Sequence, residues 1–162
     1  MQIAVISDTH MPKRGRRLGE DCIARLRAAD LIIHAGDLIT LEVLEHLRRY
    51  APVIAVHGNV DDAAARAALP AVATLTAEGT RMTIVHDAGP ARGRVARLRS
   101  RFPDADAVIF GHSHLPLHER ADDGFQIFNP GSPTERRRAP ARTMGMARAI
   151  AGELTFELVT LG

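Results

Sequence analysis

Seven side chains in this sequence, Asp8, His10, Asp37, Asn59, His86, His112 and His114, share one kind of chemistry although they are spread along most of the chain. Imidazole nitrogens, carboxylate oxygens and an amide oxygen suit borderline-hard divalent ions such as manganese, iron, zinc, nickel or cobalt. No thiolate belongs to the set. Seven donors exceed what one tetrahedral ion takes. They suit two ions about 3.5–4 Å apart if one carboxylate spans both, as Asp37 could with its two oxygens. Taken singly, each residue reads more readily as a turn residue, a cap or a satisfied polar group. Taken together, they point to one shared site.

The elements that must bring them together are legible as pattern. Short β-branched or aliphatic runs, Ile3–Ser7, Leu31–Ala35, Val53–His57 and Ala107–Gly111, read as buried strands. Between them lie helical stretches at about Leu18–Ala29, Leu41–Tyr50, Ala63–Leu69 and Arg92–Arg101. Asp61 or Asp62 would cap the third of these, with Asp61 favoured slightly for the cap over orienting a ligand, and Pro70 would close it. Three antiparallel hairpins follow from turn residues between apolar runs: Ala71–Ala77 with Arg81–His86, Leu117–Arg120 with Phe125–Asn129, and Met144–Ile150 with Leu154–Val159. This is an α/β chain with mixed sheets. The candidate residues all fall where strands end, and in open α/β sheets the loops at the carboxyl ends of strands converge on one crevice. Gly36, Gly58 and Gly111 directly precede candidate ligands, as expected where the backbone turns sharply to aim a side chain. The Pro/Arg-rich segment from Pro130 to Arg142 reads as an ordered loop.

A chain of 162 residues has the usual size of one domain, here 1–162, with a core that needs no staple. No apolar run approaches the roughly 20 residues needed to cross a bilayer, so a soluble protein without membrane attachment is expected. With Cys22 as the only cysteine and no secretory leader pattern ahead of Ile3–Ile6, the expected location is the cytoplasm. The formal charge of +2 comes almost entirely from arginines interleaved with alanine, aspartate and glutamate, which argues against a nucleic-acid partner. Arg136-Arg137-Arg138 reads as a solvated charge run rather than a phosphate contact. His34 and His57 lie beside the candidate ligands and read equally well as supporting groups or as satisfied buried histidines.

Asp8-Thr-His10, Gly36-Asp37, Gly58-Asn59-Val60-Asp61, His86 and Gly111-His112-Ser113-His114 resemble, in order and spacing, the five motifs of the calcineurin-like metallophosphoesterases. The short length and Phe128-Asn129-Pro130-Gly131-Ser132-Pro133 resemble the small bacterial and archaeal phosphodiesterase branch. The resemblance implies a four-layer α/β/β/α sandwich. It implies one ion on Asp8, His10, Asp37 and His114 and a second on Asp37, Asn59, His86 and His112, with manganese the first candidate metal. It also implies hydrolysis of a small phosphate ester, most readily a phosphodiester, by in-line attack of a metal-bound hydroxide, with Asp8, His10, Asp37, Asn59 and His112 as the catalytic set. A phosphomonoesterase or nucleotide pyrophosphatase with the same centre, and a non-catalytic interaction scaffold of the same fold, are the alternatives. Homo-oligomerisation is left open. Two departures stand out. Many members of the wider superfamily carry a histidine directly after the motif asparagine, able to protonate the leaving group; here Val60 stands there, and esters with good leaving groups should react fastest. Asp87 replaces the glycine that usually follows the fifth ligand, where a carboxylate could support His86 or perturb its turn.

Overall fold

The computed structural model describes residues 1–162. Ten strands form two five-stranded sheets. The first contains β1 (Gln2–Ile6), β2 (Leu31–His34), β3 (Val53–Ala55), β9 (Arg142–Ile150) and β10 (Glu153–Leu161), in the order β10-β9-β1-β2-β3. The second contains β4 (Val72–Ala77), β5 (Thr80–Val85), β6 (Ala107–Ile109), β7 (Leu117–Arg120) and β8 (Gln126–Asn129), in the order β4-β5-β6-β8-β7. Each sheet is mixed: β1, β2 and β3 run parallel, as do β5, β6 and β8, while the three hairpins and the pairing of β1 with β9 are antiparallel. Helices α1 (Glu20–Ala28), α2 (Leu41–Arg48), α3 (Ala63–Ala68) and α4 (Arg94–Arg101) complete the chain, with a short 3-10 turn at Lys13–Gly15.

The layering follows from side-chain alternation along the central strands. A strand buried on both faces must be apolar at every position, because odd and even residues enter different cores. On β1, Ile3 and Val5 join Ile33, Met82, Ile84, Ile109 and Phe128 in the core between the sheets. Ala4 and Ile6 face the other way, with Cys22, Leu26, Val43, Leu44 and Leu47 from α1 and α2. On the second sheet Val85, Val108 and Ile127 turn outward to Leu98 of α4, Phe110 and Phe125. Three cores separate four layers, and the architecture is the α/β/β/α sandwich. Cys22 lies fully buried in the first core, and burial pushes its thiol up to about 12, so it behaves as a small apolar residue. No helix is long and apolar enough to cross a membrane.

One expectation about caps is corrected. Asp62, not Asp61, caps α3, its side chain accepting from the backbone N–H of Ala65 at 2.8 Å. Asp61 is buried, with one carboxylate oxygen on the N–H of Ile39 and the other on the N–H of Gly58, each at 2.7 Å. It therefore ties the loop after β2 to the loop after β3.

Candidate metal centre

The carboxyl ends of β1, β2 and β3 in one sheet and of β5, β6 and β8 in the other meet along one edge of the sandwich. All seven candidate residues are there. Asp8, His10 and His114 form one group of potential ligand atoms lying within 4.8 Å of one another, and Asp37, His86 and His112 form another. A single oxygen, Oδ2 of Asp37, is 3.3 Å from Nε2 of His10 and 3.3 Å from Nε2 of His86, so it stands between the groups. Asn59 completes the second, its Oδ1 lying 3.1 Å from His86 Nε2 and 3.0 Å from His112 Nδ1.

Each side chain is held from behind. Asp8 accepts from Ser7 Oγ at 2.7 Å and from the backbone N–H of His112 at 3.0 Å, which joins the first motif to the last. Asp37 accepts from the N–H of Val60 at 3.0 Å. His86 donates from Nδ1 to the carbonyl of Ala35 at 2.8 Å, leaving Nε2 for the site. His34 is a satisfied buried histidine: Nδ1 accepts from the N–H of Gly36, Nε2 donates to Thr9 Oγ1 at 3.0 Å, and burial pushes its pKa down to about 3. In that neutral form it clamps the loop of Asp8 to that of Asp37. The ring of His57 is half-buried at the rim.

Backbone conformation was not legible in the sequence. Asp8, His10, Asp37, His112 and His114 all have φ between 47° and 69°, the left-handed region. Aspartate and histidine enter it more often than most residues, and each such placement costs of order 1–3 kcal/mol, which the hydrogen bonds above must hold against. The expected reason for the glycines holds at Gly36, whose φ is 92°, and is corrected at the other two. Gly58 and Gly111 do not have positive φ; they are glycine because another motif's ligand fills the space of a Cβ, Asp37 at Gly58 and Asp8 at Gly111.

The electrostatics favour a cation. Burial works to raise the Asp37 carboxyl, yet hydrogen bonds from His10 and His86 outweigh it and hold the group well below the usual carboxylate range. Burial works to lower His86, but its bond to Asp37 and the charges of Asp8 and Asp37 bring it up to about 9. At Asp8 burial outweighs the charge of His86 and the hydrogen bond from Ser7, and lifts the carboxyl to about 6. His114 is pushed down to about 4, mainly by burial. Its Nε2 is buried with no hydrogen-bond partner and lies 3.4 Å from Asp8 Oδ1. A buried nitrogen lone pair beside a carboxylate oxygen is costly unless something between them accepts both. A divalent ion does, and the residues present fit one.

The Pro130–Arg142 segment supplies, beside Ser132 of the stretch noted in the sequence, two residues that sequence reasoning did not single out, Thr134 and Glu135. Ser132 Oγ donates to the carbonyl of Asp8 at 2.9 Å, and Thr134 Oγ1 to that of Thr9 at 2.7 Å. Glu135 reaches behind the first group: its Oε2 is 3.4 Å from His10 Nδ1 and 4.0 Å from His114 Nδ1, and its Oε1 pairs with Arg16 at 2.8 Å. A carboxylate behind a ligating imidazole fixes its tautomer and raises its basicity. Glu135→Ala should therefore lower metal affinity about 10–100-fold by calorimetric titration, with Glu135→Gln in between; unchanged affinity would show that the contact is incidental. Arg136 and Arg138 are exposed, as expected of a solvated run, whereas Arg137, though exposed, is turned back to the site, its Nε 3.6 Å from Glu135 Oε2. Asp87 supports neither His86 nor the site: it is exposed, and its Oδ1 accepts from the N–H of Gly89 at 2.7 Å in a local turn.

Residues 1–150 match the model of the calcineurin-like phosphoesterase superfamily domain. The chain belongs to this superfamily. A probable metallophosphoesterase of Methanothermobacter thermautotrophicus is 34% identical over 164 residues, covering 100% of this chain and 94% of the relative. Among solved structures, wild-type Vps29 of Entamoeba histolytica complexed with zinc superposes with a TM-score of 0.78 at 22% identity, over 99% of each chain. An archaeal phosphodiesterase superposes with a TM-score of 0.74 at 21% identity, over 98% of this chain and all of that one. At those identities the two structures speak for the fold, and membership of the superfamily, together with the two candidate ligand groups, makes this a metallophosphoesterase-type chain.

Proposed function

We propose that this protein is a metal-dependent phosphodiesterase holding two divalent ions. Asp8, His10, Asp37 and His114 would hold one, and Asp37, Asn59, His86 and His112 would hold the other. The observation that carries the reading is the single Asp37 oxygen equidistant from His10 and His86. When bound, the ions supply a nucleophile at neutral pH and charge stabilisation of the phosphoryl oxygens. The chain's own work is positioning. Ser7 and the N–H of His112 fix Asp8, the N–H of Val60 fixes Asp37, Ala35 orients His86, the carboxylate of Glu135 lies behind His10, and the Glu135 backbone carbonyl lies behind His114. His112 is exposed at the mouth of the site, where its ring can meet the phosphoryl group. Val60 is 40% exposed and offers no proton, and Asp61 is occupied by two backbone N–H groups, so this chain places no dedicated acid there.

The preference for diesters draws support from the likeness to the archaeal phosphodiesterase, and manganese is the first metal to test. Hydrolysis of bis(p-nitrophenyl) phosphate should disappear on thorough chelation and return with manganese, with a monoester assayed in parallel. Activity that survives chelation removes the metal mechanism. Complete inactivity with manganese, iron, zinc, nickel and cobalt leaves the scaffold role that the Vps29-like fold also accommodates.

A further inference from the structure

A groove of about 440 Å³ opens against the second ligand group. Its lining includes Asn59, His86 and His112 at one end and Val72, Val85, Arg66 and Arg101 beyond them. The volume falls within the roughly 300–1,000 Å³ of small-molecule sites. Val72 is 39% exposed, which gives the groove an apolar wall beside the polar centre.

The two arginines are the informative part. Arg66 comes from α3, beside the first sheet, and Arg101 from the end of α4, beside the second. Both are exposed, and neither guanidinium has an ion-pair or hydrogen-bond partner; Arg101 only lies over the ring of Phe102, at 4.9 Å. Other arginines near the site or on the same helix are engaged: Arg16 on Glu135, Arg99 on Asp123, and Arg97 on the carbonyls of Ala88 and Pro90. Asp87 is the one carboxylate on the groove wall. Two free guanidiniums against one carboxylate leave an excess of positive charge. Planar guanidinium forks match phosphate oxygens in geometry as well as charge.

We propose that this groove selects phosphodiesters carrying a second phosphoryl group about one nucleotide unit from the scissile phosphate, with Arg66 and Arg101 as the residues that determine this specificity. The assignment rests on the phosphodiesterase reading above. The scissile group lies at His112, the intervening unit lies along Val72 and Val85, and the second phosphate lies between the guanidiniums. The limited volume favours a small ester over a long strand.

The test compares the p-nitrophenyl ester of thymidine 5′-phosphate with the 5′-p-nitrophenyl ester of thymidine 3′,5′-bisphosphate, using the manganese-loaded protein. Wild type should prefer the bisphosphate about tenfold or more in kcat/KM, and the preference should shrink with added salt. The double variant Arg66→Gln, Arg101→Gln should lose the preference while keeping its rate on bis(p-nitrophenyl) phosphate within about twofold. Both substituted side chains are exposed, so folding is not at stake. Equal efficiency of the two esters in wild type, or a preference that survives in the double variant, would overturn the inference. Binding of thymidine 3′,5′-bisphosphate, followed by calorimetry with and without metal, separates this inference from the parent reading. If no ester is hydrolysed the phosphodiesterase reading falls, whereas the groove assignment still requires the double variant to bind about tenfold more weakly, and equal binding overturns it.

Discussion

Asp37→Ala is expected to bind fewer than two metal ions per chain and to lose phosphoesterase activity by about 10³-fold or more. Removing a single electrostatic stabiliser from an active site costs about 10²–10³-fold, and Asp37 faces both ligand groups through one oxygen, 3.3 Å from each of two imidazoles. Without it, two dications would face each other with less compensating charge. Metal analysis after gel filtration, read beside the rate on an aryl diester, checks both parts; full occupancy with a near-normal rate would show that the bridge lies elsewhere. The metal-free protein offers an independent readout. His86 is held at about 9 in the folded chain against an ordinary value of 6.5. A raised folded-state value stabilises fully below the unfolded value, so this contribution is complete below about pH 6.5 and disappears as the pH rises through about 9. Its first opposing influence is burial and its chief support is the bond to Asp37, so chemical denaturation of Asp37→Ala across that window should show a flatter slope than wild type.

Gly58→Ala should be nearly as damaging although it removes no functional group. A Cβ at position 58 would collide with Oδ1 of Asp37 and stand 2.5 Å from the Asp37 backbone nitrogen, which cannot swing away as the tip of a flexible side chain could. Relief requires one loop to move from the other, against the two bonds by which Asp61 joins them and the Val60 N–H that holds Asp37. Overpacking of this kind costs about 1–3 kcal/mol of stability. A displacement of about 1 Å in a catalytic constellation costs about 10²-fold in rate. Thermal melting and kcat/KM of the same preparation separate the two effects. A variant that melts like wild type and turns over at the wild-type rate would show that the two loops do not approach so closely.

What the sequence determined by itself is local and periodic. The all-apolar runs of the parallel strands, Ile3–Ile6 among them, and the turn residues of three hairpins were enough for an α/β chain with mixed sheets, because strand and helix periods are properties of neighbouring residues; the four layers were implied only by the resemblance of the motifs. The seven donors were legible because each follows a recognisable strand end and their types share one chemistry. What only the tertiary structure decided depends on contacts between distant segments. Glu135 lies in a Pro/Arg-rich loop where a single glutamate carries no pattern, and it matters because Ser132 and Thr134 anchor that loop to the backbone of Asp8 and Thr9, more than 120 positions earlier. Asp61 and Asp62 are adjacent and chemically identical. Which of them caps α3 and which joins two loops is set by where Ile39 and Gly58 come to rest, and no local rule distinguishes them. The same holds for Gly58 and Gly111: locally they look like turn residues, but the carboxylates of Asp37 and Asp8, delivered from other strands, are the reason that neither can carry a side chain.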